Sequence, residues 1–122
     1  MDNKYCLEYL KQLLKILACD SFEQQQMIPQ EVRWNISSDI ANEWDYENIE
    51  FFIKNLLDKK FISKNIQEGF QTICNNFEKV SINGTQFDPT IWSTEGFEYH
   101  PFWEHQRKLA KQLLNELDKV QL

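Results

Sequence analysis

His100 and His105 are the only histidines among 122 residues. With Glu104 they read His100-Pro101-Phe102-Trp103-Glu104-His105. Imidazoles share a metal from one helix when they stand four residues apart, because both rings then project from the same face. A spacing of five turns the second ring through about 500°, which leaves it roughly 140° away from the first. This pair therefore predicts no metal. The three cysteines, Cys6, Cys19 and Cys74, have neither metal-ligand nor redox spacing. A nucleophilic thiolate needs a base and a positive setting. Cys6 and Cys74 fall on apolar faces and read as small core residues, while Cys19 sits beside Asp20, which disfavours ionisation. Ser37 and Ser38 precede Asp39 with no histidine nearby in sequence, and Gly69, Gly84 and Gly96 are isolated, so no glycine-rich phosphate loop exists. No cofactor or metal is predicted, and the chain reads as a binding protein rather than an enzyme.

The residues best equipped for contact lie between Trp34 and Ile53. These twenty residues carry five acids (Asp39, Glu43, Asp45, Glu47 and Glu50) and no Lys or Arg. Trp34, Trp44 and Tyr46 are interleaved with them. Acids among large amphipathic aromatics make a surface that attracts a basic protein and then anchors on it. Trp44, between Glu43 and Asp45, is expected at least partly near solvent. It reads either as a contact anchor or as a staple of its loop onto the next helix. A second base-free segment, Val80 to Gln106, holds Asp88, Glu95, Glu98 and Glu104. Glu95, Glu98 and Glu104 form the reserve candidate site. Both segments merge into one negative face if the fold brings them together; otherwise the acids serve only to solubilise the surface.

The elements that position these residues are helices. Cys6, Leu10, Leu13, Leu14 and Leu17 make one apolar stripe over about Asn3 to Ala18, with Lys4, Glu8, Lys11 and Lys15 facing water. Ser21 is placed to cap a short helix ending near Met27, with Gln24 reaching back in a capping box and Pro29 helping to end it. Gln30 to Asn42 is predicted as an extended loop, since the alternation of Val32, Trp34 and Ile36 suggests a strand with no partner. Asp45 is a plausible cap for a helix carrying Ile49, Phe52, Ile53, Leu56 and Leu57, and the acids Glu43, Asp45 and Glu47 suit its start. Ser63 caps the next helix, Lys64 to Lys79, where Gly69 permits close packing at a cost of about 1 kcal/mol. Asn83-Gly84 marks a turn, Ile91 to Phe97 a short helical turn, and Pro101 the first position of a last helix. In that helix Trp103, Gln106, Leu109, Ala110, Leu113, Leu114 and Leu117 mark one side. The expectation is an all-α single domain over residues 1–122, a bundle of four main helices with two or three short ones.

The bulk numbers narrow the partner. An apolar fraction of 42% and an aromatic fraction of 14% make the chain globular. Its formal net charge of −6 argues against direct nucleic-acid binding, which needs a basic face. No apolar run approaches the roughly 20 residues of a bilayer span. Met1-Asp2-Asn3-Lys4 lacks the pattern of a signal peptide. The cytoplasm is therefore the expected location, where Asn83-Gly84-Thr85 is a turn rather than a glycosylation site.

Trp92-Ser93-Thr94-Glu95-Gly96-Phe97 is followed by Trp103-x-x-x-Arg107-x-x-Ala110-x-x-x-Leu114. This pattern resembles small bacterial immunity proteins that accompany toxins of contact-dependent inhibition and related polymorphic toxin systems, with Phe97 standing where a Leu-like residue is usual. Leu13 to Gln25 is similar to their opening helix and acidic–glutamine turn. The resemblance covers about a third of the chain. It implies an all-helical cytoplasmic protein that binds one toxin C-terminal domain, 1:1 as a monomer, and blocks its active site. Such toxins are often nucleases (here an RNase is expected) whose clefts are basic because their substrate is a polyanion. Asp39, Glu43, Asp45, Glu47 and Glu50 then supply complementary charge, and Trp44 and Tyr46 supply contact area. The rival reading is a helical adaptor or regulator of an unrelated basic protein. A small enzyme built on His100, His105 and a carboxylate is weaker, and requires a polar pocket holding both rings.

Overall fold

The computed structural model describes residues 2–27 and 35–122, and all its regular structure there is helical. Seven α-helices and one 3-10 turn follow in order: α1 (Asn3–Ala18), α2 (Ser21–Met27), α3 (Ile36–Asn42), α4 (Tyr46–Asp58), α5 (Lys64–Val80), the 3-10 turn Pro89–Trp92, α6 (Thr94–Tyr99) and α7 (Pro101–Asp118). The four long helices close a ring in which α1 packs on α4, α4 on α5, α5 on α7 and α7 on α1. Each is amphipathic, and the leucine stripe of α1 is buried throughout. The connection from α4 to α5 is short. The other two connections carry the short elements, and α6 touches α2, α3, the 3-10 turn and α7. The short elements thus gather at one end of the bundle, where α1 and α5 finish and α4 and α7 begin.

Trp103 is the hub of the core. It is fully buried, with Phe97 4.9 Å away, Phe77 5.5 Å away and Trp92 edge-on at 6.0 Å between ring centroids. Its indole N–H donates to the Ile91 carbonyl at 2.8 Å, while that of Trp92 donates to the Val80 carbonyl at 2.9 Å. A buried Trp contributes on the order of 3–5 kcal/mol against truncation to Ala. Here each ring also supplies the hydrogen bond that a helix-ending carbonyl would otherwise lack. Gly69 is a close-approach position between α5 and α7: a Cβ there would lie 2.9 Å from Leu113 Cδ1, so a larger residue would have to push the end of that leucine side chain aside. Gly96 is tighter still, because a Cβ would overlap the Thr90 carbonyl oxygen of the preceding 3-10 turn.

Two local expectations are corrected. Ile36–Asn42, expected as part of an extended loop, is helix α3. Asn35 Oδ1 accepts from the Ser38 N–H at 3.1 Å, and Ile36 and Ile40 then share the inward face. The alternation that suggested a strand also drew on Val32 and Trp34, which lie outside the described residues, as does Pro29. The cap of α2 is Asp20, not Ser21: its Oδ1 accepts from the Glu23 N–H at 2.8 Å. Gln24 makes no capping box because it is fully buried, its amide donating to the carbonyls of Ile16 and Leu17, each at 3.0 Å. Asp45 caps α4 as expected, through the Glu47 N–H at 3.1 Å. Ser63 holds the cap position of α5 without a side-chain hydrogen bond.

Candidate functional site

The two base-free segments meet. Ser37, buried on α3, places its hydroxyl 3.0 Å from the Trp92 carbonyl and also within reach of Asn35 Oδ1; its single proton serves one of them at a time. Asn35 Nδ2 donates to the same carbonyl at 3.4 Å. These bonds fasten the start of α3 to the 3-10 turn. The chain then returns through Glu43 and Trp44 to the start of α4.

Trp44 is not the exposed anchor. It is only 5% exposed, stacked on Phe70 at 5.9 Å and tilted against Phe77 at 6.5 Å. Helix α3 ends just before it and α4 begins just after, so the indole turns inward and pins that corner onto α5. Flanking charges place Glu43 and Asp45 in solvent without holding the ring between them there. Tyr46 is half-buried, and its phenol oxygen accepts from Gln67 Nε2 at 3.3 Å.

Around this corner lies an open groove of ≈ 780 Å³. Trp44, Tyr46, Phe77, Phe87 and Trp92 supply its apolar walls, and Asp45, Glu47 and Glu78 its charge; among the described residues no Lys, Arg or His lines it. Ile82 and Phe87, on the loop after α5, stand 77% and 43% exposed at its edge. The start of α4 and the end of α5 both open onto it. Their partial charges, about +0.5 and −0.5, offset each other, so the carboxylates set the sign of the field. Cys74 registers that field: burial first, then Asp45 and Glu78, push its thiol up to about 12.

A second groove, ≈ 550 Å³, adjoins the first at Asn42, which lines both. It contains Tyr9, Asp39 and Glu43, again with no Lys, Arg or His among the described residues. Burial, and then Glu43, raise the Tyr9 phenol above its ordinary value. Tyr9 stacks on Phe52 at 4.0 Å, and Tyr5 and Phe51 pack on the same ring at 6.1 and 5.8 Å. Tyr5 and Phe51 are 59% and 62% exposed. Among the described residues no ion pair involves Glu43, Asp45, Glu47 or Glu50. Asp39, Glu43, Asp45 and Glu47 thus fall into two adjoining grooves, and Glu50 is exposed on α4 beside them.

The second base-free segment brings apolar surface to this site, not charge. Asp88 caps the 3-10 turn through the Thr90 N–H at 3.0 Å and pairs with His100 Nε2 at 3.5 Å. Those hydrogen bonds from Thr90, chiefly, and the neighbouring imidazole hold its carboxyl below the usual carboxylate range. Glu95 and Glu98 lie on α6 and Glu104 on α7, and none of them lines either groove. Glu98 accepts from Gln25 Nε2 at 3.4 Å instead. The single negative face expected from the two segments is therefore one acidic corner, with the reserve acids elsewhere. The exposed and groove-lining residues that the sequence did not disclose are Tyr5, Tyr9, Phe51, Ile82, Phe87 and Glu78. The exposed Phe51 beside buried Ile49 and Ile53 was readable from helical phase; the groove walls were not, because they come from four separate elements.

The histidines stay apart in role. His100 Nδ1 accepts from the Phe102 N–H at 3.0 Å, capping α7, and His105 is exposed. Among the described residues no group of three His, Cys, Asp or Glu is placed to hold a metal, and no helix is long and apolar enough to cross a membrane. No family model matches the chain, and no curated protein or solved structure matches it significantly.

Proposed function

We propose that this chain is a cytoplasmic immunity protein that binds a basic bacterial toxin domain, a nuclease of the RNase kind, and occludes its active site. The observation that supports this reading is the corner where five carboxylates (Asp39, Glu43, Asp45, Glu47 and Glu78) line two adjoining grooves to which, among the described residues, no Lys, Arg or His contributes. A nuclease cleft is built to hold a polyanion, and a fixed array of carboxylates competes for the same cations. The long-range field steers encounter, while desolvated aromatic surface (Tyr9, Phe51 and Phe87) slows release. Tyr46 stays in the contact as a half-buried flank, and Trp44 acts beneath it by holding the corner in place.

The proposal expects a toxin gene beside this one, and the test is co-expression with the C-terminal domain of its product, together with the association rate measured at rising salt. The combined variant Glu43→Lys, Asp45→Asn, Glu47→Lys keeps a capping side chain at position 45. It should lower the association rate at least tenfold at about 0.15 M salt and abolish rescue, with unchanged helicity by circular dichroism. Unaltered binding in that variant removes the acidic corner from the contact. Failure of the native chain to protect against the neighbouring toxin, with capture of another basic protein retained, leaves the adaptor reading in its place.

A further inference from the structure

We propose that the larger groove, between the start of α4, the end of α5 and the loop 81–92, receives a segment of the protein partner in which large apolar side chains alternate with lysine or arginine. The inference rests on the binding role above but assigns the groove a distinct occupant. Two features of the groove point to it. Its walls are aromatic and aliphatic, and Ile82 and Phe87 stand at its mouth 77% and 43% exposed. Such apolar side chains gain by being covered, and their position beside a cleft of ≈ 780 Å³ matches the size range of sites that bury most of a ligand's surface. The polar component has a single sign. Asp45, Glu47 and Glu78 are the charged lining groups, and none is in an ion pair among the described residues.

Charge complementarity therefore selects the occupant. An acidic or neutral-polar segment would bring like charge or unmet desolvation against three carboxylates, whereas a Lys or Arg beside an apolar residue satisfies both halves of the lining. The groove is open along its length and joins the second acidic groove at Asn42, a shape suited to a passing chain rather than an enclosed small molecule. Trp44 and Trp92 both line it, so occupancy has a built-in reporter.

The probe is a synthetic ten-residue peptide of alternating Lys with Leu or Phe, capped at both ends. It is compared with a twin carrying Glu for Lys and a twin carrying Ser for Leu and Phe. Binding to the full chain is followed by tryptophan fluorescence and by the indole N–H resonances of Trp44 and Trp92. The expected result is saturable one-to-one binding of the Lys/Leu/Phe peptide with shifts at both indoles. The Glu twin should not bind, and the Ser twin should bind at least tenfold more weakly. Ile82→Ser and Phe87→Ser change side chains that are 77% and 43% exposed; circular dichroism and thermal melts verify that each variant folds, and each should weaken the first peptide at least tenfold. Absence of binding, equal binding of the Ser twin, or indifference to both substitutions overturns the proposal. The toxin assay separates the two readings. Full neutralisation by Ile82→Ser and Phe87→Ser chains leaves the immunity role standing and removes the groove from it. Peptide binding by a chain that does not protect leaves the groove's specificity standing and removes the immunity role.

Discussion

Arg107 shows how much a single side chain organises here. Its Nε donates to Gln24 Oε1 at 3.1 Å and its Nη2 to the Phe97 carbonyl at 2.6 Å, while the guanidinium lies 4.9 Å from the Phe97 ring centroid and 5.9 Å from that of Trp103. Gln24 in turn holds the last carbonyls of α1. One planar cation therefore links α1, α2, α6 and α7. Arg107→Ala should cost about 3 kcal/mol, since it strands a buried amide oxygen and a carbonyl and removes the ring contacts. Arg107→Lys should recover only part of this, because an ammonium lacks the planar fork and the flat face that the guanidinium lays against Phe97 and Trp103. Urea unfolding of both variants measures it, and a loss below about 0.5 kcal/mol for Arg107→Ala excludes the linking role. The sequence disclosed Arg107 only as a motif position beside a leucine stripe. Its partners lie 83 and 10 residues away, beyond any local pattern. Asp45 was legible because a cap is a local device, written within three residues. Trp44 was not, because which way a corner residue turns depends on α5, which local sequence does not show.

At the scale of elements, the long helices were readable from periodicity, and α2 and the helical turn near Ile91 to Phe97 from their flanking cap and turn residues; α3 was not, because a helix of about two turns repeats its stripe too few times to stand out. The end of α4 illustrates a hidden device. Lys60 has a φ of 64°; its N–H donates to the Leu57 carbonyl at 3.0 Å, and the Phe61 N–H donates to the Leu56 carbonyl at 2.9 Å. This is the left-handed helix ending normally filled by glycine. A lysine there carries the strain of its Cβ, roughly 1 kcal/mol. Lys60→Gly should thus raise stability by about 1 kcal/mol without altering partner binding, since the position lies in the α4–α5 connection, away from the acidic corner. Thermal melts and the toxin-binding assay together check it, and a destabilised Lys60→Gly would mean that the lysine side chain contributes more than its backbone costs.

For the whole molecule, a net charge of −6 with carboxylates gathered at one corner carries a self-repulsion that a partner relieves and salt screens. Moderate sodium chloride should raise the melting temperature of the unbound chain by a few degrees. Glu43→Gln with Glu47→Gln should raise it at low salt and flatten the salt response, while weakening the partner complex. Calorimetry across a salt series reads both effects, and a melting temperature indifferent to salt would mean the corner stores no such strain. The packing of α1 against α7 has one more consequence. The side of the α1 leucine stripe that faces α7 is covered by residues roughly a hundred positions further along the chain. A nascent chain that has already docked α4 must therefore carry that side uncovered until α7 emerges, which exposes the ribosome-bound intermediate to chaperones and delays the moment at which any newly made copy becomes competent.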